Sequence, residues 1–314
     1  MFVTIVITFC NFQEIEGNKQ YSTVRCSPQC IRNVIGEMTP QMKQRVTDLG
    51  FGQLLEMAME GNSDRVLGMF LTSRVKENPL RIDVGSEPLL ITPDAVHRVL
   101  GIPMGEKSLP SWTPKQVQEA RYELRKICDK KGLKQKYEAM KKDYDKLKFT
   151  EVPRWFIEDA ANAHKREIDD WAVQAFFILL FNSFLFPTSS DKIVGENYLM
   201  AKDLTLIPNI NWCNEVVEDI KMKSRVWNKS ISKAKNTPTI QGCMTFLVVS
   251  SAILIFLSAI YMFIHSAILS SFQLSSCIKL LMITDAILSQ QFCFTHINQS
   301  CLIICQQLFR SSSN

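Results

Sequence analysis

The sequence predicts a mostly α protein: a compact multi-helix domain with a small β hairpin at about residues 80–91, followed by an apolar helical tail that is a candidate membrane span. Three observations predict this class. Thr-Pro pairs typical of helix starts recur, apolar residues return at spacings of three and four among charged ones, and one short stretch alternates like a strand. Charged residues become rare beyond Asn236, where only Lys279, Asp285 and Arg310 occur.

Four Thr-Pro pairs predict helix starts. In each pair the threonine hydroxyl can accept a hydrogen bond from an unpaired backbone N–H, and proline at the first helical position lacks only a donor that would be unpaired anyway. The pairs are Thr39–Pro40, Thr92–Pro93, Thr113–Pro114 and Thr237–Pro238. Thr113 with Gln116 also fits a capping box.

The first predicted helix ends at Gly50, and residues 51–57 continue as a buried element. Residues 80–84 alternate apolar and polar side chains like a half-buried strand, and residues 89–91 can return as its partner after a Gly- and Pro-containing turn. The helix that starts at Pro93 ends at Gly101, because glycine readily adopts the left-handed conformation beyond a helix C-terminus.

A charged helical region is predicted from Pro114 to Phe149. Two narrow apolar stripes run through it, and Lys130-Lys131-Gly132 separates them. The pattern predicts two helices or one kinked helix packed on the domain. The most apolar stretch of this part, Trp171–Phe186, is short of the roughly 20 apolar residues of a membrane span and contains polar residues, so it predicts a buried core helix.

Several segments together resemble the plant mobile domain, which is often labelled "aminotransferase-like". The segments are Arg25-Cys26-Ser27-Pro28, Asp48 to Leu55, Ile91 to Pro103, Phe184 to Ser190, Asn211-Trp212-Cys213 and Ile240 to Cys243. The resemblance covers residues 24–248 and implies a nuclear, transposon-related domain that is linked in some relatives to gene silencing. It does not imply aminotransferase chemistry, because no Schiff-base lysine or phosphate-binding cup can be nominated.

No residue is nominated as catalytic, cofactor-binding or metal-binding, and no cofactor is predicted. Cys26 and Cys30 have a spacing that zinc sites use, but no second Cys/His pair follows at a finger-like distance. His164 near Asp169 and Asp170 is more typical of solvated charges before a core helix. His97, in the middle of a short helix, is more typical of a capping or packing residue.

A lysine-rich stretch carries the nucleic-acid hypothesis, because phosphate contacts need cations. Its candidate residues are Lys126, Lys130, Lys131, Lys134, Lys141 and Lys142. Lys136 lies in the same stretch and adds to its positive charge. Tyr137 and Tyr144 are interleaved with these lysines, whereas Glu138, Asp143 and Asp145 dilute the positive charge. The alternative interpretation is a solvated helix face, and the sequence favours it.

Two interpretations of the tail stay open. Residues 243–265 form an uncharged run long enough to cross a bilayer, with six basic residues before it that would keep the domain cytoplasmic. Alternatively, residues 249–314 are translated intron, and so are residues 1–13 of the N-terminal extension 1–23. Val249-Ser250 is what an unspliced donor site encodes, and Phe9 to Gln13 fits an acceptor site.

The sequence therefore predicts a non-enzymatic interaction module that works with protein partners in a nuclear, chromatin-linked process, and it leaves open whether nucleic acid is a further partner. The alternatives are a single-pass membrane protein whose cytosolic part is this domain, and a non-functional, truncated transposon derivative. Accordingly, the expected location is the nucleus, or the membrane under the first alternative.

Overall fold

We analysed a computed structural model, which describes residues 25–56, 65–83, 88–148, 150–162, 169–188, 190, 192–232 and 239–253. These residues are mostly helical and include one three-stranded antiparallel sheet, as predicted for the fold class. The helices are α1 (Pro28–Glu37), α2 (Pro40–Val46), α3 (Gly52–Leu55), α4 (Arg65–Ser73), α5 (Pro93–Leu100), α6 (Pro114–Lys130), α7 (Leu133–Ala139), α8 (Arg154–Ala161), α9 (Asp170–Leu180), α10 (Gly195–Lys202), α11 (Trp212–Ser232) and α12 (244–253).

Three of the four predicted helix starts are confirmed. The hydroxyls of Thr39, Thr92 and Thr113 each accept a hydrogen bond from the backbone N–H three residues later, at 3.2, 3.2 and 3.3 Å. Gln116 completes the capping box by accepting from the Thr113 N–H at 2.8 Å. The fourth pair lies outside the described residues, but residues 239–243 are not helical, so the helix predicted from Pro238 is wrong.

The predicted hairpin is confirmed as strands β2 (Leu80–Asp83) and β3 (Pro88–Leu90), but the sheet has a third strand, β1 (Val75–Glu77). β1 pairs with β2 so that Val75 lies opposite the fully buried Ile82. The sequence did not predict β1, because three residues with two charges show no alternation and their pairing depends on the neighbouring strand.

The predicted core helix is also confirmed. All residues from Ala172 to Phe186 are buried except Gln174, and the helix α9 continues into a π-helical turn, Phe181–Leu185. Helices α1, α2, α8 and α10 all pack against α9. The buried amide of Asn182 is paired, since its nitrogen donates to Asn197 Oδ1 at 3.1 Å and its oxygen accepts from Arg154 Nε at 3.1 Å. A polar group at this depth is tolerated because its hydrogen bonds are made.

Two corners of the chain fit together through glycines. Gly50 has φ +88°, and a Cβ atom there would lie 2.8 Å from Pro103 Cγ. Gly101 has φ +62°, and a Cβ atom there would lie 2.4 Å from Gln53 Cβ. Each corner therefore requires glycine for its backbone conformation and for the close approach of the other corner.

The region from Pro114 to Phe149 contains two helices rather than one kinked helix, because Gly132 adopts φ +97° between α6 and α7. The second helix is shorter than predicted. It ends at Ala139, Lys141 adopts φ +54°, and the chain continues into a 3₁₀ turn, Tyr144–Lys146. The early end lets Tyr144 return toward α6, a contact that the local apolar spacing could not reveal.

The beginning of the predicted membrane span lies inside the domain. Residues 243–251 are buried, and Met244 and Phe246 are fully inaccessible. Within the described residues, no helix combines the length and the apolar character needed to cross a membrane. The rest of the predicted span 243–265, the remaining tail to residue 314 and residues 1–24 lie outside the described residues.

We expect Gly101→Ala to lower the free energy of unfolding by roughly 1–3 kcal/mol, because alanine must adopt a left-handed backbone and displace Gln53. Gly36→Ala is the matched control. Gly36 lies in α1 with no atom within 4 Å of a Cβ, so alanine should stabilise the domain by about 0.5–1 kcal/mol. Denaturant unfolding of the full chain measures both, and equal effects would contradict the requirement for glycine at position 101.

Two serines in α12 bury hydroxyls that have no partner in the described part of the chain. Ser250 and Ser251 are 5% and 3% exposed, and neither Oγ makes a hydrogen bond to another described residue. We therefore expect Ser250→Ala and Ser251→Ala each to raise the free energy of unfolding by about 1 kcal/mol. Ser224→Ala is the control, because the equally buried Ser224 Oγ donates to the Lys221 carbonyl at 2.9 Å. A control that gains as much as the two α12 variants would disprove the explanation.

Candidate nucleic-acid interface

A buried arginine ties the lysine-rich segment together. Arg125, on α6, is only 1% exposed. Its Nε lies 3.1 Å from both carboxylate oxygens of Asp129, and its Nη1 donates to the carbonyls of Lys148 and Glu151 at 3.1 and 2.8 Å. The guanidinium carbon lies 4.7 Å from the ring centroid of Tyr144. The buried cation is therefore compensated by one carboxylate, two carbonyls and an aromatic face.

Tyr144 closes the same cluster. Its hydroxyl donates to Asp129 Oδ1 at 2.6 Å. Burial and this hydrogen bond raise the pKa of Tyr144, so the phenol keeps its proton and acts as the donor. We call Arg125, Asp129 and Tyr144 the Arg125 clamp. The clamp holds residues 144–151 against the C-terminal half of α6, which lies about twenty residues earlier in the chain.

All six lysines nominated from the sequence are exposed, but they fall into two groups. Lys131 is paired, because its Nζ donates to Asp169 Oδ2 at 3.1 Å. Lys136, nominated with them, is also paired, since its Nζ lies 2.6 Å from Asp159 Oδ2. The others have no carboxylate partner within the described residues, and we call them the lysine surface: Lys126, Lys130, Lys134, Lys141 and Lys142.

The structure arranges the lysine surface around the clamp. Lys126 and Lys130 lie one helical turn apart on α6 and flank the residues that hold Tyr144. Lys134 lies in α7, which packs on α6, and the Lys142 N–H donates to the Tyr137 carbonyl at 2.9 Å. The cations on the two helices and on the following loop therefore belong to one folded unit.

The net positive charge of the chain is concentrated in this segment. Residues 125–148 contain ten Lys or Arg residues against four Asp or Glu residues, a net charge of +6. The chain as a whole has 36 against 31, so everything outside the segment sums to −1. Two of the four acids are also occupied, since Asp129 belongs to the clamp and Asp143 pairs with Lys146 at 3.3 Å. Counting charge by segment would have revealed this concentration from the sequence.

The two tyrosines nominated with the lysines are packing residues. Tyr137 and Tyr144 are half-buried, with ring centroids 5.8 Å apart at 79°. Tyr137 also lies 5.6 Å from Trp155, which in turn lies 5.8 Å from Phe156. The contact between Tyr137 and Trp155 joins α7 to α8, so these rings take part in packing.

The two acids singled out from the sequence, Asp169 and Asp170, have structural roles at the start of α9. Asp169 is the N-cap of the core helix α9, because its Oδ1 accepts from the Ala172 N–H at 3.0 Å. Burial tends to raise the pKa of Asp169, but the hydrogen bonds from Lys131 and Ala172 outweigh it and lower the pKa. Asp170 pairs with Arg45 on α2. His164 lies outside the described residues.

His97 holds the end of α5. Its Nδ1 lies 2.8 Å from the carbonyl oxygen of Ile102, which can only accept, so Nδ1 carries the proton and donates. The Gly101 N–H donates to the His97 carbonyl at 2.8 Å, which completes a left-handed C-cap. The imidazole and the backbone of His97 therefore stabilise the same corner.

Burial disfavours the thiolate form of the described cysteines. Burial raises the pKa of Cys30, Cys128 and Cys213 to about 12. Burial likewise raises the pKa of Cys26 and Cys243. A thiol with a raised pKa carries little thiolate and is a poor nucleophile and metal ligand. Among the described residues no group of three or more Cys, His, Asp or Glu is arranged to hold a metal ion.

A buried aspartate lies at the C-terminal end of the domain, and sequence reasoning missed it. Asp219, on α11, has a side chain that is 11% exposed, and its Oδ1 lies 3.8 Å from Lys223 Nζ. Its Oδ2 makes no hydrogen bond to any residue that the structure describes, and a Cβ atom at Gly242 would lie 3.6 Å from it. Burial raises the pKa of Asp219 to about 7, although Lys223 opposes the shift. No motif or spacing marked this residue, because its burial depends on residues 239–243 folding over α11.

A family model for a domain of unknown function (DUF8566) matches residues 24–248, and the chain belongs to this family. The resemblance to the plant mobile domain is therefore wrong. Comparison with curated proteins and with solved structures gives no match. The residues that suggested the resemblance have packing roles in this fold. They include the N-cap Thr92, the paired corners at Gly50 and Gly101, and Cys213, whose Sγ lies 3.4 Å from the Ile102 carbonyl.

We expect the free energy of unfolding to fall by about 2 kcal/mol between pH 5 and pH 8 because of Asp219. Its folded pKa of about 7 lies above the roughly 3.9 of an unfolded aspartate, so its stabilising contribution is present at low pH and is lost as the pH rises through 7. Asp219→Asn should remove this dependence and be more stable than the parent chain at pH 8.

Denaturant unfolding of the full chain at pH 5, 6, 7 and 8 measures the effect. Asp203→Asn is the control, because Asp203 is exposed and only caps a local turn through Thr205. Parallel pH profiles for the parent chain and Asp219→Asn would contradict the assignment.

Proposed function

We propose that this DUF8566 domain is a non-enzymatic module that binds nucleic acid through its lysine surface. The observation that carries the proposal is the charge distribution: residues 125–148 have a net charge of +6, whereas the rest of the chain sums to −1. Clustered, unpaired cations are what phosphate backbones attract, since each contact releases condensed counterions. The pairing pattern supports the same surface, because the five lysines project from the fold without carboxylate partners among the described residues.

A phosphate-bearing partner suits this surface better than a protein. The cores of protein interfaces are depleted of lysine and enriched in aromatic residues. Here five lysines are exposed, and the one large hydrophobic side chain of the segment that is well exposed is Met140, at 41%. A compact ammonium group on a flexible stem serves as a point charge for phosphate oxygens.

The support for a non-enzymatic module comes from the described ionisable groups. The thiols are buried with raised pKa values, and His97 is committed to a backbone carbonyl. Asp219 has a pKa in the range of an acid–base catalyst, but it faces Gly242 and Lys223 and does not belong to the lysine surface. A nuclear location with protein partners stays part of the proposal.

The test is a salt titration of the full chain with a fluorescent DNA duplex. We expect affinity to fall steeply with salt, with a log–log slope of about −4 to −5 if all five lysines contact phosphates. The variant with Lys126, Lys130, Lys134, Lys141 and Lys142 all changed to Gln should lose most of its affinity and most of that slope. Glutamine removes the charge and keeps a polar side chain that is one atom shorter than that of lysine.

The matched control is Lys76→Gln with Lys107→Gln. Both lysines are exposed and have no ion pair among the described residues, and both lie outside the lysine surface. The control should bind nearly as tightly as the parent chain, and thermal melts should show that both variants fold. A flat salt response, or equal losses in variant and control, would contradict the proposal. Binding to anionic vesicles but not to DNA would show that the surface is a membrane contact instead.

A further inference from the structure

We infer that the lysine surface binds double-stranded nucleic acid through its phosphates and does not stack on bases, an inference that rests on the proposed function. Proteins that hold single strands combine a positive groove with exposed aromatic side chains on which successive bases stack. A surface that has the cations but lacks the aromatic platform retains only the electrostatic part of that recognition. The question is therefore whether an aromatic face is free near the five lysines.

The aromatic rings of the segment are committed to one another. One face of Tyr144 is covered by the Arg125 guanidinium, and its edge contacts Tyr137. Tyr137 is covered on another side by Trp155, at 5.6 Å and 45°. Lys136 lies 5.3 Å from the ring centroid of Phe156, which is 2% exposed. Across all described residues, every Phe, Tyr and Trp is buried or half-buried.

The Arg125 clamp adds a second argument, because it anchors the backbone next to the lysine surface. The clamp fixes the chain after residue 143 against α6 through two backbone carbonyls and one tyrosine hydroxyl. Lysines that project from a folded backbone suit the regular phosphate spacing of a duplex. A flexible single strand would lose conformational entropy on such a surface without gaining stacking in return.

The experiment compares two probes on the full chain at one salt concentration: a mixed-sequence 20-base-pair DNA duplex and one of its strands alone. We expect the duplex to bind at least about threefold more tightly, because its charge density is higher and its salt slope per contact is steeper. Replacing the five lysines by Gln should weaken binding to both probes. Tighter binding of the single strand would overturn the inference and leave the proposed function intact. If neither probe binds, the proposed function itself fails.

Two aromatic variants test the absence of stacking directly. Tyr137→Leu keeps an apolar side chain in the packing and removes the ring, and Phe149→Leu removes the ring of a residue that lies outside the described residues. Each should change the affinity for either probe less than about twofold, whereas loss of a base stack would cost about fivefold or more. A fivefold loss in either variant with an unchanged melting temperature would overturn the inference. Lys134→Gln provides the positive control, because it removes one phosphate contact and should lower the salt slope by about one.

Discussion

The burial of one continuous apolar segment determines how the rest of this domain is built. Helix α9 and the π-helical turn after it contribute a run of buried side chains, so elements must cover it on every side. Four helices do so, and the one amide inside, Asn182, is held by Arg154 and Asn197. An unpaired amide at that depth would cost free energy, and its pairing therefore also fixes how α8 and α10 approach the core.

The lysine surface is attached to this core through charged contacts. Lys131 leaves the end of α6 and reaches Asp169, the N-cap of α9, and this contact connects the basic segment to the start of the core helix. Arg125 makes the buried contacts of this segment. It pairs with the Asp129 carboxylate, donates to two backbone carbonyls and lies over the Tyr144 ring. The paired cations hold the segment in place, and the unpaired ones are left to face solvent. The structure thus divides a run of similar residues into a paired group and an unpaired group.

The sequence predicted correctly those features that depend on interactions between residues close together in the chain. Threonine caps, a proline at the first helical position and an uninterrupted apolar run depend on neighbours within four residues, and the caps at Thr39, Thr92 and Thr113 and the core helix were predicted correctly. The misses depend on distant residues. Strand β1 needs β2 to pair with, the early end of α7 at Ala139 allows Tyr144 to contact α6, and the Ile240 carbonyl in the non-helical residues 239–243 accepts from the distant Arg25 N–H.

By itself the sequence determined the helical class, the position of the buried helix and the separation of a charged part from an apolar tail, because composition and periodicity are properties of the chain alone. It also located the lysines that form the candidate interface. Only the tertiary structure decided which of them are paired, which rings are covered and that Asp219 is buried. These outcomes depend on contacts between residues far apart in the chain, where desolvation and distance set each interaction, and no local pattern encodes them.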